Sequence, residues 1–143
     1  MDREIQFLLD ERALNRVLNA YCHAMDTGDH AAWLDCFTAD AIYEVALPNG
    51  SVFVNLKGRD DFRKFIAAYP VRAGHKHVYA SPVFDIDPDA GTATIKSYFF
   101  MLAGDATYSG ISSLGRCEDE CVKTGGAWRI KARRVWTEAM TPA

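Results

Sequence analysis

Three things are scarce in this sequence: an excess of one charge, long apolar stretches, and cysteines at close spacing. Sixteen Lys and Arg stand against nineteen Asp and Glu, a formal net charge of −3 at pH 7. So small an imbalance offers no electrostatic footprint for a polyanion, which argues against nucleic acid or an anionic membrane as partner. No apolar run approaches the roughly 18 residues that a membrane span needs. Met1-Asp2-Arg3-Glu4 also lacks the basic-then-apolar order of a secretory leader, so a cytoplasmic location is expected. The four cysteines, Cys22, Cys36, Cys117 and Cys121, form no CxxC pair. That argues against a zinc site and against a disulfide framework, and favours reduced, mostly buried thiols. Repeats, low-complexity tracts and linkers are missing as well. With 143 residues, 49% hydrophobic and 24% charged, the chain has the make-up of one domain, residues 1–143, large enough to bury its own core.

Leu14, Val17, Leu18, Tyr21 and Met25 recur at spacings of three and four, which predicts an amphipathic helix over about Glu4 to Met25. Thr27-Gly28-Asp29 ends it, and Asp29 is placed to cap a second helix from His30 to about Phe37. Ala41 to Leu47 and Ser51 to Leu56, joined through Pro48-Asn49-Gly50, form a hairpin signal. A third helix runs from Asp60 to Tyr69 and stops at Pro70. Strands over His75–Ile86, Thr92–Leu102, Tyr108–Val122 and Trp128–Thr137 follow, separated by turn-forming residues. The order ααββαββββ predicts an α+β domain: a cone-shaped, curved, largely antiparallel sheet, approaching a mixed barrel, wrapped on its N-terminal helices. The mouth of such a cone commonly holds an apolar pocket.

Two stretches carry residues suited to chemistry. Tyr21 lies on the buried stripe of the first helix, and Asp26 sits about 140° further round, near the helix end. The helix dipole disfavours a carboxylate there, so Asp26 calls for a compensating partner; otherwise it is an ordinary turn residue bonded to the next loop. His75-Lys76-His77 puts two imidazoles on one side of a strand. A metal would need a third ligand, from Asp26 or Glu44, and two histidines on a strand are thin support for one, so no metal is expected. The simpler chemistry is one His paired with a buried Asp, which fixes the ring tautomer and leaves the imidazole poised as a base near neutral pH. The aromatic set Trp33, Phe37, Phe53, Phe62, Phe65, Phe84, Phe99, Phe100 and Trp136 is mostly core in character. His23 and His30 fall on helix surfaces, and Arg129 to Arg134 alternates basic with apolar residues like a half-buried strand.

Ala20-Tyr21 through Asp26, Gly28-Asp29 to Trp33, Cys36 to Ala41, Lys57-Gly58-Arg59, His77 to Pro82, Gly115-Arg116 with Asp119, and Gly126 to Arg133, in this order, resemble the SnoaL-like branch of the nuclear transport factor 2-like superfamily. Within it the chain is similar to bile acid 7α-dehydratase, scytalone dehydratase and the hexachlorocyclohexane dehydrochlorinase. The resemblance implies catalysis without a cofactor, with His77 as base, Asp26 as its carboxylate and Tyr21 as a hydrogen-bond donor. It also implies a pocket position for Arg133. Cys117 stands where these enzymes often carry Tyr, so a leaving-group donor is missing or is supplied by Tyr43, Tyr79 or Tyr98. His75 and Cys117 complete the expected pocket.

Three functions stay open on this reading. The first is a dehydratase-type lyase acting on a cyclic or aromatic small molecule. The second is an isomerase or polyketide-type cyclase using the same dyad, and the third is a binding domain in which Asp26 and His77 only tie helix to sheet. A dioxygenase β subunit shares the fold but works with a catalytic partner chain and is usually longer, which disfavours it. Three short helices cannot cover so long a sheet, so a homo-oligomer, a dimer or trimer, is expected, with Glu118, Glu120, Arg129 and Lys131 rimming the contact.

Overall fold

In the computed structural model, which describes residues 2–142, the nine elements appear in the expected order. Helix α1 spans Arg3–Thr27; the Asp2 carboxylate accepts from the backbone N–H groups of Glu4 and Ile5 at its start, and Gly28, at φ 75°, closes its end. Helix α2 spans His30–Asp35, and the Asp29 side chain accepts from Ala32 N. Strand β1 (Phe37–Ala46) and strand β2 (Val52–Lys57) precede helix α3 (Gly58–Ala68). Strands β3 (His75–Asp87), β4 (Thr92–Gly104), β5 (Ser109–Thr124) and β6 (Ala127–Met140) complete the chain. Phe37 belongs to β1 rather than to α2: its backbone pairs with Ile130, and its ring still fills the inner face that helical spacing had assigned to it.

The six strands form one sheet in the order β2-β1-β6-β5-β4-β3. All neighbours are antiparallel except β1 and β6, which run parallel, so the sheet is mixed. It does not close into a barrel; β2 and β3 are its two edges, and α1 packs chiefly on β3. Curvature comes from identifiable irregularities. The β3–β4 register shifts between Ala80 and Val83, where Ser81 takes φ 53° ahead of Pro82. The β5–β6 register shifts beside Gly115, where any Cβ would lie 2.0 Å from the Trp136 carbonyl oxygen.

A further shift in β6 decides what faces the core. Glu120 pairs with Ala132 while Cys121 pairs with Ile130, leaving Lys131 as an extra residue. Before it Trp128 and Ile130 point inward; after it Arg133, Val135 and Thr137 do. The core between helices and sheet is built from Leu14, Leu18, Tyr21 and Met25 of α1, with Trp33, Phe37, Phe62, Ile66, Ile95 and Ile130. Among the described residues no helix is long and apolar enough to cross a membrane, and the four cysteines are free thiols, Cys22 half-buried and the others buried.

Candidate active site

Asp26, in the last turn of α1, lies against the start of β3. Its two carboxylate oxygens accept the backbone N–H of His77 at 3.2 and 3.0 Å, and its Oδ1 stands 2.6 Å from His77 Nδ1. These N–H groups supply the partner that a carboxylate at a helix C-terminus lacks. The short contact to a carboxylate assigns the ring proton to Nδ1, which leaves Nε2 as a lone-pair acceptor on the other edge of the ring. Both side chains are largely enclosed, His77 14% and Asp26 10% exposed. Burial is the chief cause that holds His77 below the ordinary imidazole range; Asp26 opposes it, and Arg133 and His75 add to the lowering. The ring is therefore neutral at pH 7.

His77 borders a cavity of about 220 Å³ at the open end of the cone. Its walls are Met25, Val45, Val54, Met101 and Val135 with the rings of Tyr21, Tyr43, Phe53, Phe65, Tyr69, Tyr79 and Phe99; Ser113 and Thr137 add hydroxyls on the sheet side. Larger hollows, 350–490 Å³, lie away from His77, with charged groups such as Asp85, Glu118 and Lys131 in their walls. The Tyr21 and Tyr43 hydroxyls are 2.9 Å apart, and burial raises both phenols above their ordinary value, so both keep their protons. One proton is spent in that mutual bond, and the second hydroxyl can donate to a guest.

Arg133 sits beneath this wall. Its guanidinium lies 4.0 Å from the centre of the Tyr21 ring and 4.3 Å from that of Tyr79, and its Nη1 donates to Asp119 Oδ1 at 3.2 Å. Among the described residues Arg133 Nε and Nη2 find no hydrogen-bond acceptor, and the guanidinium lies against the two aromatic faces. Burial raises the Asp119 carboxyl. A buried guanidinium without a counter-charge would cost more than the pair, so Asp119 stays ionised beside it.

The structure brings His77, Tyr21, Tyr43 and Tyr79 together in the cavity wall, with Asp26 behind His77, and separates four expected pocket residues from it. Tyr98 is 61% exposed on the outer face of the sheet, because alternation along β4 points Phe99 inward instead. Cys117 is buried with its thiol 3.6 Å from Asp119, in the layer behind the cavity. His75 is half-buried and outside the lining, and Arg133 is covered by the phenol rings. Trp136, read as core, instead lies under the Arg116 guanidinium at 4.0 Å, while Phe53 is 59% exposed at the cavity's edge. No group of three or more His, Cys, Asp and Glu able to hold a metal occurs among the described residues. The residue that sequence reasoning passed over is Tyr69, whose hydroxyl is 3.3 Å from His77 Nε2. The Phe62-Phe65-Ile66-Tyr69 spacing, read through to Pro70, was the signal for it.

A family model for the SnoaL-like domain matches residues 6–134. No curated protein sequence matches the chain significantly. Among solved structures, the chain is similar to a variant of a function-unknown protein from Mycobacterium tuberculosis (23% identity, 99% of this chain and 79% of that one, TM-score 0.81). It is also similar to a putative scytalone dehydratase from Novosphingobium aromaticivorans (22% identity, 98% and 91%, TM-score 0.78). A third match is the β subunit of a putative aromatic-ring-hydroxylating dioxygenase from the same organism (14% identity, 95% and 94%, TM-score 0.80). At these identities the likeness shows the fold. The last match spans nearly all of both chains, so chain length does not set this protein apart from such subunits, and the argument from length falls.

Proposed function

The chain belongs to the SnoaL-like domain family, and we propose that it is a cofactor-independent lyase that removes water from a cyclic or aromatic small molecule, with His77 as general base. The observation that carries this reading is a neutral imidazole anchored to Asp26 at 2.6 Å, whose other ring nitrogen, met by the Tyr69 hydroxyl, is an acceptor beside a cavity walled by aromatic rings. Nε2 takes a proton from a carbon next to a carbonyl while the Tyr21–Tyr43 pair donates to that carbonyl oxygen. Asp26 stabilises the resulting imidazolium. The electron pair of the broken C–H bond forms a double bond, and the β-hydroxyl leaves as water with the proton returned by His77. Asp26 and His77 are the catalytic pair, Tyr21 and Tyr43 the oxyanion donors, and Tyr79 a wall. Arg133, by lying against the Tyr21 ring, acts from behind.

The same base serves an isomerase or cyclase, in which the proton returns to carbon and no water is lost. The binding-domain reading draws on a different observation: Asp26 also accepts the His77 backbone N–H, which ties α1 to β3 whatever the ring does. Incubation with a panel of hydroxylated cyclic ketones, read by chromatographic retention together with mass, separates the three. Loss of water that vanishes in His77→Gln supports the lyase. An isomer of unchanged mass moves the assignment to the second reading, and binding without conversion to the third. The chain is further proposed to work as a homodimer through the outer sheet face, where Val83, Tyr98 and Leu114 are exposed.

A further inference from the structure

We propose that Tyr69 is a positioning residue for His77: its hydroxyl caps the Nε2 lone pair, holds the ring in one tautomer and one plane, and yields that place to a ligand that reaches the base. The direction of this hydrogen bond follows from the other side of the ring. With the proton on Nδ1, bound to Asp26 at 2.6 Å, Nε2 can only accept, so the Tyr69 hydroxyl 3.3 Å away must donate. It is the one side-chain hydrogen bond of Tyr69 among the described residues. The two grips on the ring are unequal. The carboxylate side is short and charge-assisted, while the cavity side is long and neutral, and so is the one a guest can displace at little cost.

The local sequence sets Tyr69 at this place. It follows α3 directly, its N–H bonds the Ile66 carbonyl at 3.2 Å, and Pro70 restricts it to the extended backbone it shows, φ −73° and ψ 123°. Its ring leans on Phe65, one helical turn earlier, with centres 5.8 Å apart, and stands 5.9 Å from the His77 ring. Burial pushes the phenol up to about 12, so it remains a donor across the working pH range. Besides Tyr69, the ionisable groups around His77 are Asp26, His75 and Arg133, with the Tyr21 ring 6.2 Å away; of these Asp26 contacts Nδ1, and Tyr69 alone hydrogen-bonds Nε2. An imidazole gripped on both edges cannot flip, which is the property a base aimed into a cavity needs.

The inference rests on His77 as the base, and its test reads the ring without substrate. In long-range proton–nitrogen NMR, Tyr69→Phe should shift the His77 Nε2 resonance to that of an unbonded pyridine-type nitrogen. The His77 pKa should rise by about half to one pH unit, since the lost donor favoured the neutral form. Diethyl pyrocarbonate, which forms an N–C bond at an unprotonated ring nitrogen and loses ethanol and carbon dioxide, should then modify His77 several-fold faster at pH 8. Trypsin cleavage after Lys76 keeps that signal apart from His75. An unchanged resonance, pKa and modification rate overturn the proposal. If Tyr69→Phe fails to fold, the wild-type spectrum decides: a free acceptor nitrogen at Nε2 overturns it, a bonded one supports it. A capped ring in a protein that dehydrates nothing leaves this inference standing and the lyase reading fallen, while an uncapped ring in an active dehydratase does the reverse.

Discussion

Two of the molecule's carboxylate–nitrogen pairs are built for different work. Asp26–His77 joins α1 to β3 at the cavity wall, is in part exposed, and contains an imidazole that burial holds below its ordinary pKa. Asp119–Arg133 joins β5 to β6 in the layer behind and is fully buried. The first can exchange a proton with a guest. The second lies out of a guest's reach and sets its field under the Tyr21 and Tyr79 rings. The pair beside the cavity makes the shorter contact, while the fully buried pair is kept where no guest can reach it.

Breaking the rear pair should have the largest effect. Asp119→Ala leaves a buried guanidinium unpaired, a loss of about 3–5 kcal/mol. For a domain this size that is roughly 10–20 °C in a thermal melt, or no folded protein at all. Replacing both partners, Asp119→Leu with Arg133→Met, should recover much of that loss, because neither charge is then stranded; a double variant as unstable as the single one would contradict this account. His77→Gln should act the opposite way. Turnover should fall by about 10²–10⁴, while the melting midpoint stays within a few degrees because Gln can still donate toward Asp26 and the backbone N–H bond is untouched. A variant that keeps its turnover would assign the base elsewhere.

Much of the front pair was legible before folding. A carboxylate at a helix end called for a partner and the His75–His77 alternation offered two, the choice of His77 came from the family resemblance, and the turn residues delimit the strands to within a few positions. The rear pair was legible only in part. Strict alternation through Arg129, Lys131 and Arg133 puts all three on the solvent side, and the extra residue at Lys131 reverses the phase so that Arg133 turns inward. A bulge is a tertiary feature with no local mark here, since no Gly or Pro announces it. Tyr98 failed for the complementary reason: in a strand flanked by Tyr98, Phe99 and Phe100, composition does not say which of the adjacent rings faces in. The parallel pairing of β1 with β6 was invisible too, because it depends on where the chain returns after α3.

A smaller effect, still set by the contrast, is on pH. Burial lowers His77, so its neutral form is favoured in the fold. Activity that needs that neutral base should rise with pH through a midpoint below the ordinary value of about 6.5 and then level off. Stability has the same sign: the contribution is whole above about 6.5 and is lost as pH falls toward the folded value, where the unfolded chain binds the proton more readily. Acid denaturation of His77→Gln should be correspondingly less steep over that window, and a steeper one would reverse the assignment.

The smallest effect on chemistry should come from Tyr98, which separates the inner face of the sheet from the outer. Tyr98→Ala removes a ring that touches neither the cavity nor the core, so turnover should be unchanged and stability within about 0.5 kcal/mol. Its consequence should appear in assembly. Val83, Tyr98 and Leu114 lie exposed on a face where Lys96, Arg116 and Glu118 stand beside them, a mixed apolar and charged surface on which two copies could pair about a two-fold axis. Light scattering at micromolar concentration should give twice the chain mass for the wild type and a concentration-dependent fall toward one chain for Tyr98→Ala. A wild type that scatters as a single chain removes the dimer. A Tyr98→Ala variant that stays paired but loses turnover would show that the two faces of the sheet are less separate than their side chains make them.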